Sequence, residues 1–392
     1  MIRTRQFALI FAAIACSQFA LAQQSSTPRT VDLKAADGIV LKASYFAAAK
    51  PGPGVLLLHQ CNRQRKVWDE LATQLSAQGI NVLTFDLRGF GESGDTPFEK
   101  LKPEEVGKVQ AEKWPGDIDL AFQYLVSQPA VTHDAIGVGG ASCGVNNSIQ
   151  TARRHPAQIK SLVLLSGGTD YAGRKFLRQA SQPELFAMAD DDEFRPTVDV
   201  VPWLFAVASN PGKKFVHYAT GGHGADMFSV HPELRNIIVD WYVQTLITTP
   251  GRAPADNHSA PVASSYQILN QLETPGGVDQ VAQKLAEARR KDPKAVLFPE
   301  EPVNFMGYEH LQAGDTKGAL EIMKLNVSAY PDSPNAYDSL SDVYLADGQK
   351  DLAKQNAKKA LELLAGDTAD PEDRRKNIRD SAEQKLKQLG EQ

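Results

Sequence analysis

The sequence predicts an α/β domain, in which helices cover both faces of a mainly parallel sheet, followed by an all-α helical-repeat domain. Short apolar, β-branched runs alternate with amphipathic stretches from Val31 to about Leu246, as expected for strands separated by helices. A strand, a tight turn and a helix are indicated around Ser142. A repeat near the end of the chain indicates stacked helix pairs.

The first 22 residues have the pattern of a secretory signal. A short apolar run follows two arginines, and Ala20-Leu21-Ala22 forms a small-x-small cleavage site, so the mature chain is expected to begin at Gln23. An alternative is a lipoprotein anchored through Cys16. Both interpretations predict an exported protein, either periplasmic or secreted.

Composition excludes several classes of protein. The 392 residues are 42% hydrophobic and 23% charged, which is typical of a globular chain with two domains. A formal net charge of −5 argues against nucleic-acid partners, which favour clustered lysine and arginine. The apolar run of the signal is shorter than the about 20 residues needed to span a bilayer, and no later run approaches that length.

The α/β domain is predicted over residues 23–248. The apolar runs predicted to form strands are Val55–His59, Asn81–Asp86, Ile136–Ala141, Ser161–Leu165, Leu185–Met188 and Lys214–Tyr218. The amphipathic stretches predicted to form helices are Val67–Gln78, Trp114–Ser127, Cys143–Arg154, Val198–Ala208 and Pro232–Leu246.

Residues 249–265 are rich in proline and alanine, lack apolar periodicity and are predicted to be a linker that leaves the two domains separable. A helical domain is predicted over residues 266–392. Three residues recur 34 positions later, a period that resembles tetratricopeptide helix pairs: Leu311, Gly314 and Ala319 as Leu345, Gly348 and Ala353. Flanking helices are expected over Tyr266–Lys291 and Pro371–Leu389, and the repeats are a possible surface for a protein partner.

Ser142 lies at the centre of Gly140-Ala141-Ser142-Cys143-Gly144, directly after an apolar run. This is the pattern of a nucleophile elbow, a sharp turn between a strand and a helix that lifts a serine hydroxyl into a pocket. The flanking glycines are expected because the two backbones approach too closely for a Cβ.

Together with Asp86-Leu87-Arg88-Gly89-Phe90-Gly91-Glu92-Ser93, this motif resembles the α/β-hydrolases, most closely the dienelactone-hydrolase-like branch. The resemblance covers residues from about Val31 to Leu246, and the Asp86–Ser93 loop is expected to be structural. The family uses a serine, an acid and a histidine in that chain order. It implies a hydrolase that acts on a small ester or acyl substrate and needs no metal or organic cofactor.

The resemblance also indicates the acid and the base. His223 follows the last predicted strand and precedes the final helix, where the family has its base. Asp190, Asp191 and Asp192 follow the preceding strand, and Asp192 is the expected acid because Pro196 stands four residues after it. Asp191 remains the alternative. The carboxylate would hold the imidazole in the tautomer that accepts the serine proton.

The oxyanion hole is expected to use two backbone N–H groups. One is that of Cys143, and the other is that of Cys61, or of Gln60 if the turn differs. Gln60 stands where the family usually has glycine. Because both cysteines of the mature chain fall at this site, we hypothesise a Cys61–Cys143 disulfide, the alternative being two buried free thiols.

These observations predict an exported serine hydrolase that cleaves an ester or related acyl bond through an acyl-enzyme on Ser142. A peptidase or amidase of the same fold is one alternative, because a triad alone does not select the leaving group. Another alternative is a partner-binding protein in which the α/β domain is a scaffold.

Overall fold

A computed structural model describes residues 27–252, 263–368 and 370–390. The predicted signal, Cys16 and most of the predicted linker lie outside the described residues. The described chain forms an α/β region (27–252) and a helical region (263–390, without 369). The domain boundaries drawn from the sequence stay predictions.

Eight strands form one sheet: β1 Arg29–Lys34, β2 Val40–Phe46, β3 Gly52–Leu58, β4 Asn81–Phe85, β5 Val131–Ala141, β6 Ile159–Leu165, β7 Glu184–Ala189 and β8 Lys214–Tyr218. Their order across the sheet is β1-β2-β4-β3-β5-β6-β7-β8. The pairs from β4 through β8 are parallel, whereas β1 pairs with β2 and β2 with β4 in antiparallel fashion. The predicted mainly parallel sheet is confirmed.

The first two strands were not predicted from the sequence. β1 is an edge strand whose residues are mostly exposed, with Leu33 as its buried side chain. The other strands were predicted from continuous apolar runs, which are typical of strands buried on both faces. The exposed edge strand β1 lacks that signal, and Lys42 and Ser44 interrupt the apolar run of β2.

The helices of the α/β region are α1 Asp69–Ala77, α2 Pro103–Lys108, α3 Trp114–Val126, α4 Cys143–Arg154, α5 Tyr171–Leu177, α6 Pro196–Val207, α7 Met227–Val230 and α8 Glu233–Tyr242. Alternate residues of β3 belong to different hydrophobic clusters: Leu56 and Leu58 to one, Val55 and Leu57 to the other. The first cluster includes α3, α4 and α6, and the second includes α1 and α8. Helices therefore cover both faces of the sheet.

The helical region contains α9 Ser264–Leu272, α10 Gly277–Lys291, α11 Glu300–Gln312, α12 Thr316–Ala329, α13 Pro334–Ala346, α14 Lys350–Leu364 and α15 Glu372–Gln388. From α11 onward, each helix packs against the next. Gly314 and Gly348 follow α11 and α13 with φ of +79° and +77°, left-handed conformations that favour glycine at a helix end. The assignment of these helices to tetratricopeptide repeats stays a prediction.

The helical region packs against the α/β region through apolar side chains, and the separability of the two domains stays a prediction. A single hydrophobic cluster contains Val200 and Leu204 of α6, Leu269 of α9 and Met306 of α11. The composition of the linker carries no information about these apolar faces. The sequence of α6 does indicate such packing, since a helix that is apolar on nearly all sides is usually buried between layers. In the described parts of the chain, no helix is both long and apolar enough to cross a membrane.

Candidate active site

The loops that follow β5, β7 and β8 carry Ser142, Asp192 and His223. These strands run parallel in the same half of the sheet, so their carboxyl ends lie along one edge. Sites in open α/β sheets form outside this edge. The structure therefore gathers the three predicted residues at one end of the sheet.

Ser142 occupies a strained turn between β5 and α4, with φ +54° and ψ −121°. Such a conformation costs a non-glycine residue on the order of 1–3 kcal/mol. A Cβ on Gly140 would lie 2.1 Å from the Gly144 carbonyl oxygen, and a Cβ on Gly144 would lie 2.4 Å from that of Leu58. Both glycines are thus needed for close backbone approach, which is the geometry expected of a nucleophile elbow.

His223 and Asp192 form a buried pair, with 5% and 1% of their surfaces exposed. The His223 Nδ1 atom lies 2.9 Å from each carboxylate oxygen of Asp192. The Phe194 backbone N–H also donates to Asp192 Oδ1, at 2.8 Å. A carboxylate only accepts hydrogen bonds, so this pairing places a proton on Nδ1 and leaves Nε2 as an acceptor in the neutral ring.

The other two aspartates of this loop have different partners. Asp191 accepts a hydrogen bond from the Gly222 backbone N–H at 2.9 Å. Asp190 lies 2.7 Å from Nε2 of the exposed His217. Both carboxylates face solvent, so Asp192 is the one that the structure brings to His223, while Asp191 supports the backbone of the histidine loop.

The histidine loop packs against the serine turn. A Cβ on Gly224 would lie 3.2 Å from the Cβ of Ala141, the residue before Ser142. Gly224 also has φ +59°, which favours glycine. Gly224 directly follows His223, and Ala141 directly precedes Ser142. The loop of His223 therefore lies against the turn of Ser142.

Cys61 and Cys143 are joined by a disulfide, with a Cα–Cα distance of 5.9 Å. The structure thus contains the pairing hypothesised from the sequence. The bond ties the residue after Ser142 to the loop that follows β3. Cys143 is the first residue of α4, so its N–H has no acceptor one turn earlier within the helix.

His59 fixes the start of that loop. Its buried ring donates from Nδ1 to the Gln60 carbonyl oxygen at 2.8 Å, and its Nε2 accepts from the Leu87 N–H at 3.0 Å. Burial lowers the pKa of His59, which favours the neutral ring that this pattern requires. The loops after β3 and β4 are held together in this way.

Gln60 was considered from the sequence only as an alternative backbone donor, and the role of its side chain was missed. Its side chain is fully buried, and its Oε1 accepts from the Ala225 N–H at 2.8 Å. Its Nε2 donates to Asn62 Oδ1 at 2.9 Å. Gln60 therefore links the loop expected to form the oxyanion hole to the loop of His223, a role that glycine cannot fill.

The Asp86–Ser93 loop is structural, as expected. Buried Asp86 accepts hydrogen bonds from the backbone N–H groups of Arg65 at 2.7 Å and Glu92 at 3.0 Å, and it pairs with the Arg65 guanidinium. Arg88 pairs with buried Asp117 at 2.6 Å. These hydrogen bonds and ion pairs fix the conformation of the chain after β4.

Known proteins are similar to part of this chain. A family model described as "Serine aminopeptidase, S33" matches residues 49–192, which include Ser142 and Asp192 but not His223. A thiohydrolase of Aspergillus aculeatus, aneE, is 28% identical over 130 residues, covering 33% of this chain and 38% of the relative. An acyltransferase of Aspergillus calidoustus, drtE, is 25% identical over 178 residues, covering 43% and 54%.

Among solved structures, a dienelactone hydrolase from Anabaena variabilis is similar, with 17% identity and a TM-score of 0.44. It covers 56% of this chain, and all of its own chain is matched. The two curated relatives, in contrast, are matched over 38% and 54% of their own length.

Proposed function

We propose that the protein is an exported serine hydrolase that cleaves an ester or related acyl bond through an acyl-enzyme on Ser142. One observation carries the proposal. A buried imidazole, that of His223, points Nδ1 at both oxygens of Asp192, and its loop packs against the strained turn of Ser142.

In this proposal, His223 Nε2 takes the hydroxyl proton as Ser142 Oγ attacks the substrate carbonyl carbon. The tetrahedral intermediate collapses, the bond to the leaving group breaks, and Nε2–H returns the proton to that group. Water then repeats the two steps on the acyl-enzyme, releasing the acid and restoring Ser142. Asp192 keeps the ring in the required tautomer and stabilises the imidazolium.

The backbone N–H groups of Cys143 and Cys61 are the proposed donors to the oxyanion. The disulfide supports this assignment because it holds the two backbones at a Cα–Cα distance of 5.9 Å. Gln60 would fix the second donor's loop relative to His223. Losing one such donor typically costs about 10²–10³-fold in turnover.

Esters and thioesters are the favoured substrates, and the relative named as a thiohydrolase supports including thioesters. A peptidase is the second candidate, favoured by the description of the matching family model. The disulfide supports export, because disulfides persist mainly in oxidising compartments. Complete alkylation of Cys61 and Cys143 without reductant would contradict the disulfide and remove this support.

A substrate panel tests the proposal: p-nitrophenyl acetate, an acyl thioester and a dipeptide p-nitroanilide. We expect the wild-type protein to hydrolyse the first two faster than the third. Ser142→Ala should lose at least about 10³-fold in kcat. Ser127→Ala is the matched control, since that serine is exposed at the end of α3 and should leave the rates unchanged. Unchanged rates in Ser142→Ala would refute the assignment, and faster cleavage of the anilide would favour the peptidase.

A further inference from the structure

One arginine of the α/β region is buried against carboxylates of the helical region. Arg174 of α5 is 1% exposed. Its Nε donates to Glu273, at the end of α9, at 2.7 Å, and its Nη1 and Nη2 donate to Glu309 of α11 at 3.1 and 2.5 Å. Its guanidinium also stacks on the ring of Trp203 in α6, at 4.4 Å from the centroid.

The same guanidinium reaches back into the α/β region. Arg174 Nη1 donates to the Thr169 carbonyl oxygen at 2.8 Å. The Thr169 hydroxyl in turn donates to Asn146 Oδ1 at 2.7 Å, and Asn146 lies on α4 one turn after Ser142. A chain of contacts therefore runs from the helical region through Arg174 to the helix that begins after Ser142.

Thr169 belongs to the loop of residues 166–170, which packs directly on the serine turn. A Cβ on Gly167 would lie 2.4 Å from the Ser142 carbonyl oxygen, and one on Gly168 would lie 2.9 Å from Val200 of α6. The loop is thus wedged between the serine turn and the helix that follows Asp192. It cannot shift without changing contacts beside Ser142.

We propose that Arg174 is a positioning residue through which the helical region holds the 166–170 loop, and with it Ser142, in the reactive geometry. The inference rests on the proposed function, because it assigns a role in the reaction of Ser142. The planar guanidinium offers five donors and can serve two carboxylates and a carbonyl together, whereas a lysine ammonium is a compact charge with a different geometry.

Arg174→Lys and Arg178→Lys form a matched pair that tests the proposal. Arg178 follows α5 and also binds Glu273, but its other partner is Asn270 of the helical region. Hydrogen–deuterium exchange of peptides covering 142–150 and 166–173, and kcat and KM for p-nitrophenyl acetate, would be measured for the full chains.

We expect Arg174→Lys to exchange faster in both segments and to lose about tenfold in kcat with little change in KM, because misplacing a reacting group by about 1 Å can cost roughly 10²-fold. Arg178→Lys should match the wild-type protein in both measurements. Equal losses in the two variants, or unchanged exchange and kcat in Arg174→Lys, would overturn the proposal. Arg174 would then only contribute to packing between the two regions.

Thr169→Val keeps the ion pairs of Arg174 and removes the hydroxyl that binds Asn146, so it tests the same link if Arg174→Lys does not fold. We expect faster exchange over 142–150 and a lower kcat in this variant. Wild-type exchange and kcat would contradict the proposal. If the wild-type protein shows no hydrolysis dependent on Ser142, the proposed function fails, while the exchange comparison still decides whether Arg174 orders the loop.

Discussion

Two buried carboxylates near opposite ends of β7 have very different surroundings. Glu184, the first residue of the strand, is fully buried, and neither carboxylate oxygen has a hydrogen-bond partner among the described residues. Asp192, just past the end of the strand, accepts from His223 and from the Phe194 N–H. Burial raises the pKa of Glu184 well above its usual range, an effect that attraction to Lys213 partly offsets.

The difference shows that a buried acid does not by itself mark a site in this protein. At the amino end of β7, attraction to Lys213 compensates only in part for the desolvation of the carboxyl group, which costs stability when the group ionises. At the carboxyl end, loops from neighbouring strands supply the partners, and the strained Ser142 stands beside them. Activity is therefore expected to respond to changes at the carboxyl edge, whereas a change at Glu184, at the amino edge, should alter stability alone.

The largest expected effect is that of Asp192→Asn. Replacing a triad aspartate by its amide costs about 10⁴-fold in kcat, because the amide stabilises the wrong imidazole tautomer. We expect a loss of that order in steady-state hydrolysis. Asp191→Asn is the control, since it alters only the hydrogen bond to Gly222 and should keep most of the activity. A larger loss of activity in Asp191→Asn would assign the role of the acid to Asp191 instead.

Reduction of the disulfide should affect both stability and activity at the carboxyl edge. The bond closes a loop with a sequence separation of 82 residues, for which the chain-entropy model gives a contribution of about 4–5 kcal/mol. We expect dithiothreitol to lower the melting temperature and the rate of ester hydrolysis. Cys61→Ser/Cys143→Ser should show the same losses and no further response to reductant. A melting temperature and rate unchanged by confirmed reduction would contradict this role.

Gln60→Met should cost about 10- to 100-fold in kcat/KM, since it removes the acceptor of the Ala225 N–H and loosens the loops on either side of the site. The substitution also leaves a buried donor unpaired, at about 1–3 kcal/mol. Asn62→Ala is the control. The side chain of exposed Asn62 accepts from Gln60 Nε2 and takes no part in the hydrogen bond between Gln60 Oε1 and the Ala225 N–H. Equal rates for Gln60→Met and the wild-type protein would show that the bridge is unimportant.

The smallest expected effect lies at the amino edge. A carboxyl whose pKa is raised on folding destabilises the folded state as the pH rises from its unfolded pKa toward its folded one. Glu184→Gln should remove this dependence, so the variant should melt a few degrees above the wild-type protein at pH 8 and closer to it at pH 5. Its kcat should be unchanged. A loss of activity without loss of fold would contradict the division between the two edges.

The sequence was sufficient to predict the elements that carry their own local pattern. The glycines around Ser142 follow from backbone approach within one turn, and apolar runs identified the buried strands. Gln60 has no such pattern, because its partner Ala225 is 165 residues away and the bond depends on how two loops meet. Because the resembled family usually has glycine at this position, Gln60 was noted only as a difference from the family, and its link between the two loops was not predicted.

Local patterns indicated the relation between the two regions only in part. A helix was predicted at α6 and its apolar character was visible, but its burial against α9 and α11 depends on tertiary packing. Arg174 carried no sequence signal at all, since its carboxylate partners lie 99 and 135 residues further along the chain. Such long-range ion pairs require the folded structure.

Mapping the adduct of a fluorophosphonate probe tests the central claim, that Ser142 is the nucleophile, most directly. The wild-type protein should be labelled with one adduct per chain on the peptide that contains Ser142, because only an activated serine reacts readily with such a probe. His223→Ala should be labelled far more slowly, and Ser142→Ala should not be labelled. An adduct on a different residue, or labelling that persists in Ser142→Ala, would contradict the assignment.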